Sequence, residues 1–150
     1  MINTITSKVV LILGRFEPER KAILDAIRDD LRRRDFLPVL FDFDKPTTRD
    51  LTETISTLAH MARFIIADIT DAKSIPQELQ TIVPNLRSVP VQPLLLSSCR
   101  EYGMFEHFKK YPWVLEIYHY DDQKMLIESL SDKVIAPAMA KAEELTRTKK

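Results

Sequence analysis

At 150 residues, with 22 Lys plus Arg balanced by 22 Asp plus Glu, the chain has room for one sizeable core and no net charge to direct it toward nucleic acid or an anionic membrane. One cysteine, Cys99, excludes an internal disulfide and a cysteine-based zinc site, in keeping with a reducing, cytoplasmic setting. Two glycines, Gly14 and Gly103, leave no place for a P-loop or a Rossmann phosphate loop.

Met1 to Ser7 is polar and lacks the apolar centre of a signal peptide, and no apolar run approaches the roughly 20 residues of a membrane helix. We therefore expect a single domain over 1–150 with polar tails at 1–7 and 146–150. Lys8 to Leu13 (KVVLIL) is a β-branched and leucine-rich run that stops at Gly14, where the backbone can turn tightly, and reads as the first strand. From Pro18 to Arg34 the apolar residues Ala22, Ile23, Ala26, Ile27 and Leu31 recur at helical spacing. Leu37 to Phe43 is the second strand, and Pro38 places it at the sheet margin, where a missing backbone donor is tolerated. After the acidic loop Asp42 to Thr48, Thr47 or Thr48 caps a helix with the stripe Leu51, Ile55, Leu58, Ala59 and Ala62.

The next stretch organises the rest. Phe64-Ile65-Ile66-Ala67 is an unbroken apolar run ended by Asp68, as expected of a strand buried on both faces. Ser74 then offers a helix cap, with Pro76 in the first turn and Gln77 three residues on, so a helix starts near Ile75, carries Glu78 and ends at Pro84. Val91 to Leu96 is the fourth strand, although Pro93 removes a ladder donor from its middle. Tyr102 to Tyr111 fits a short covering helix, and Trp113 to Tyr118 is the fifth strand. A last helix or broken pair spans Asp121 to Lys141, interrupted around Pro137.

Five strands alternating with helices predict an α/β, flavodoxin-like three-layer sandwich, its five-stranded parallel sheet in the order 2-1-3-4-5. In that order the winding reverses between strands one and three, and ligands of open α/β sheets sit in the crevice beyond the strand ends at such a point. That crevice collects Gly14-Arg15-Phe16-Glu17, Asp68 to Ser74, and the start of the helix with Glu78.

The stretch from Ala62 (ARFIIADIT) through Lys73-Ser74 to Glu78-Leu79, with the opening KVVLILGRFEPERK from Lys8, resembles bacterial TIR (Toll/interleukin-receptor-like) domains and the related nucleoside 2-deoxyribosyltransferases. The resemblance implies a signalling or effector module in bacterial defence that associates with itself or is fused to another domain. It also implies that Glu78 works on the ribose of NAD or a related nucleotide, which is then a substrate and not a resident cofactor. Breaking a ribosyl C–N bond develops positive charge on the sugar, which a carboxylate opposite the leaving base stabilises or captures. Cationic nicotinamide departs neutral, whereas a purine needs a second acid, for which Asp68 is the nearby candidate. In this scheme Gly14, Arg15, Phe16, Asp42, Thr70 and Ser74 bind the substrate, with Arg15 on a pyrophosphate and Phe16 stacked on a base.

Plainer readings stand beside these. Glu78 can simply be an acid in a helix's first turn, favoured by about 0.3–1 kcal/mol. His60, His107 and His119 lack ligand spacing, so no metal site is expected. Arg32-Arg33-Arg34 complements a helix C-terminus, and Tyr102, Phe105, Phe108, Tyr111 and Trp113 are core or a covering flap.

Overall fold

A computed structural model describes residues 8–14, 18–42, 49–70, 89–97 and 110–148 of the chain. Among them, β1 (Val9–Gly14), β2 (Leu37–Asp42), β3 (Phe64–Asp68), β4 (Val91–Leu96) and β5 (Tyr118–Tyr120) pair in parallel in the order β2-β1-β3-β4-β5. This is the flavodoxin-like order that the alternation of elements implied. The described helices are α1 (Pro18–Arg33), α2 (Arg49–Met61), α3 (Gln123–Ser129) and α4 (Ala136–Thr148), the last two joined by the π-helical segment Leu130–Ile135. The helices expected after Ser74 and from Tyr102 lie outside the described residues, apart from Lys110 and Tyr111, which form a turn and a bend instead of a helix end.

Alternate residues of each strand face opposite sides, and here both sides are covered. Leu11, Leu13, Ile65 and Ala67 pack with Ile55 and Ala59 of α2. Val10, Ile12, Phe64 and Ile66 pack with Ile23, Leu24, Ile27 and Leu31 of α1 and with Leu126, Leu130, Val134 and Ala138 of the C-terminal helices. All five residues of β3 are buried. Each of its large apolar side chains contributes about 1.5–3 kcal/mol by leaving water, which is why this run needs no polar alternation. Gly14 faces α1: a Cβ there would lie 2.9 Å from Leu24 Cδ1, and its φ is not positive. What the position requires is the close approach of the helix, not a left-handed turn.

The two strand prolines have different solutions. Leu37 N–H bonds Lys8 O, so the nitrogen of the next residue, Pro38, points to the free edge of the sheet, where no donor is needed. Pro93 lies in an interior strand with its nitrogen on the side of Val91 N–H, which bonds Trp113 O. The missing bond is replaced by a side chain. Gln92, 2 % exposed, donates from Nε2 to Glu116 O and to Pro93 O, both at 2.9 Å. Between the pairs Val91↔Val114 and Leu94↔Tyr118, β4 advances three residues and its partner four, the signature of a bulge. Regular pairing therefore resumes only at Tyr118, and β5 is Tyr118–Tyr120, later than the Trp113 to Tyr118 run that apolar character suggested.

Pro137 does not break the last helix. Immediately before it the ladder widens, with Ala136 N–H bonded to Ser131 O, a five-residue spacing. An α-helical Pro137 would leave the carbonyl four residues back unpaired and crowd it, and the wider π turn gives the ring room. The helix then continues to Thr148, so most of the expected polar tail from Thr146 is helical.

Candidate functional site

The carboxyl ends of β1, β3, β4 and β5 carry Gly14, Asp68, Leu96 and Tyr120. Asp68 alternates with Phe64 and Ile66, which aims it at the α1 side of the sheet. There it meets Tyr120, which reaches back across β4, and Arg20 from the first turn of α1. Tyr120 Oη lies 3.1 Å from Asp68 Oδ2, 3.2 Å from Arg20 Nη1 and 3.4 Å from Thr70 Oγ1. Thr70 closes the group: its N–H donates to Asp68 Oδ1 at 3.0 Å, a local turn that aspartate favours, and its hydroxyl accepts from Leu96 N–H at 2.9 Å. None of the four is more than 9 % exposed.

Burial dominates the charge state of Asp68 and pushes its pKa up, against the lowering influence of Thr70, Tyr120 and the Arg20 charge. Tyr120 is pushed up as well, first by burial and then by the adjacent carboxyl. The hydrogen bonds accommodate either form of Asp68. With the carboxylate, Tyr120 donates to Asp68 while accepting from Arg20. With the acid, Asp68 donates to Tyr120.

The arginine run from Arg32 is a different kind of site. Arg33 Nη2 and Arg34 Nε lie 2.9 and 2.8 Å from the two oxygens of Asp30, in the last turns of the same helix. Burial alone would raise the pKa of Asp30, but the two guanidinium groups outweigh it and hold the carboxyl below its ordinary value. These arginines therefore do more than complement the helix dipole.

Of the residues assigned to the rim, the structure brings Asp68 and Thr70 together and sets Gly14 at the end of the adjoining strand. Asp42 pairs with Gly14 in register, one strand further out. Arg15, Phe16, Ser74 and Glu78 lie outside the described residues. Sequence reasoning passed over Arg20 and Tyr120. Arg20 is in phase with Ile23, Leu24, Ile27 and Leu31, so helical periodicity carried the signal that its charge obscured. Among the described residues no group of three or more His, Cys, Asp or Glu side chains is placed to hold a metal ion. No described helix is long and apolar enough to cross a membrane.

No family model and no curated protein matches this chain. Solved structures do resemble it. A diflavin flavoprotein A3 from Nostoc sp. is 11% identical with a TM-score of 0.64, over 95% of this chain and 96% of the other. An NADH:FMN oxidoreductase in its apo form is 12% identical with a TM-score of 0.53, over 95% of this chain and 90% of the other. The lysine decarboxylase LdcF of Francisella novicida is 15% identical with a TM-score of 0.64, over 93% of this chain, which spans 18% of that enzyme. At such identities the likeness shows the flavodoxin-like fold.

Proposed function

We propose that this chain is a TIR-like signalling or effector module that takes NAD or a related ribosyl nucleotide at the carboxyl edge of β1 and β3 and cleaves its N-glycosidic bond. The observation that supports this reading is the position of Asp68 and Thr70 beside the end of β1, at the point where the winding of the sheet reverses. In this reading Glu78 is the sugar-facing carboxylate. Asp68, 2 % exposed and bonded to Tyr120 and Thr70, shapes the wall of the crevice without touching a leaving base. That suits a pyridinium substrate, whose base leaves without a proton donor.

The test is nicotinamide release from NAD at high protein concentration, since an assembly is part of the reading. Release is expected from the parent chain and absent in Glu78→Gln; equal turnover in the variant rejects the role of Glu78. Binding of FMN with none of NAD would overturn the nucleotide assignment.

A second reading is a non-catalytic TIR-like module that associates with itself. It expects no nicotinamide release and a concentration-dependent dimer in light scattering.

A further inference from the structure

We propose that Arg20 is the residue that binds an anionic group of the ligand, a phosphate or pyrophosphate, at the carboxyl edge of β1 and β3. The inference rests on the reading of that crevice as a nucleotide site and names the part of the nucleotide recognised there. Arg20 is 9 % exposed, and a buried charge is costly unless an opposite charge matches it. Its one hydrogen bond among the described residues goes to the neutral Tyr120 phenol at 3.2 Å, using one of the five N–H donors of an arginine. It forms no ion pair with a described carboxylate. Asp68, the nearest acid of the cluster, turns its oxygens to Thr70 N–H and Tyr120 Oη, and burial favours its uncharged form.

Three other arginines in and just after α1 have carboxylates beside them. Arg28 sits on Asp25 and Asp29, and Arg33 and Arg34 share Asp30. Of the arginines in this stretch, Arg20 and Arg32 lack such a partner among the described residues, but Arg32 is exposed to water whereas Arg20 is buried, and Arg20 stands in the first turn of the helix that follows β1, at the ligand edge of the sheet. Its planar fork matches two oxygens of a phosphate, a geometry an ammonium group does not reproduce.

Inorganic pyrophosphate and ADP are titrated calorimetrically at low salt into the parent chain, Arg20→Gln and Arg20→Lys, with folding checked by circular dichroism. The parent is expected to bind pyrophosphate with an affinity that falls as salt rises. Arg20→Gln should weaken binding tenfold or more, and Arg20→Lys, which keeps the charge without the fork, several-fold. Equal affinity in either folded variant, or no pyrophosphate binding by the parent, overturns the proposal. NAD titrated in parallel separates the two claims. Unchanged NAD affinity in Arg20→Gln removes Arg20 and leaves the nucleotide reading, whereas Arg20-dependent pyrophosphate binding without NAD binding does the reverse.

Discussion

Asp30 and Asp68 are both buried beside arginines of α1, one at each edge of the sheet, and their surroundings drive them in opposite directions. Asp30 receives two guanidinium groups directly, and charge attraction overcomes the cost of burial. Asp68 receives a backbone N–H and a phenol, and burial overcomes the more distant Arg20 charge. The contrast sets two guanidinium groups in direct contact with a carboxyl, which lower its pKa, against a more enclosed carboxyl without such contact, whose pKa burial raises. It also separates the cluster at the amino edge, where one carboxylate takes two guanidinium groups, from the one at the carboxyl edge, where no described carboxylate forms an ion pair with Arg20.

The substitution expected to break this contrast most is Tyr120→Phe. It removes the hydroxyl that joins Arg20, Asp68 and Thr70 while keeping the ring in the core. Three enclosed groups, one of them a guanidinium, then lose a partner, and a loss of about 2–3 kcal/mol is expected from the cost of unsatisfied buried groups. Urea denaturation at pH 7 measures it; a change below about 0.5 kcal/mol would show that the network does not hold the carboxyl edge together.

Asp30→Asn comes next. The Arg33 and Arg34 side chains are 66% and 39% exposed, so water screens them, and about 1–2 kcal/mol is expected at neutral pH. Its pH dependence fixes the sign. A folded pKa below the unfolded value, near 3.9 for aspartate, gives stability that is present above that value and lost as pH falls through the folded one. The gap between parent and variant should therefore hold from pH 7 to about pH 5 and close in more acidic solution. A gap that widens on acidification would contradict the ion-paired assignment.

These clusters also mark where sequence reading succeeds and where it stops. The runs at Val9, Phe64 and Val91 were legible because strands covered on both faces must be continuously apolar, and Pro38 identified its own strand as an edge. β5 was misplaced because its start is set by a neighbouring strand. The Pro93 gap and the Gln92 amide that fills it push regular pairing to Tyr118, and nothing within Trp113 to Tyr120 records that. At the rim, Asp68 could be placed from the strand it ends. Tyr120 could not, because its role depends on reaching across β4 to partners 50 and 52 residues away. The π segment before Pro137 is legible only as a disturbance, since a proline states that the ladder must change without stating how.

Asp68→Asn is the smallest of the three effects and the most discriminating, because its sign is opposite to that of Asp30→Asn. The amide is isosteric, accepts from Thr70 N–H and donates to Tyr120 Oη, so packing and hydrogen bonds survive. Only the titration is removed. A folded pKa raised above the unfolded value means that the native state holds its proton longer, so the parent is most stable below about pH 4 and loses stability as pH rises through the folded value. The variant has no such loss. It should equal or exceed the parent at pH 7, by no more than about 1 kcal/mol, and surrender that advantage toward pH 4. Melting curves at pH 4, 5.5 and 7 read the trend directly. A variant weakest at pH 7 and recovering in acid would mean that Asp68 is ionised and paired as Asp30 is, and the Arg20 charge would then be neutralised from within.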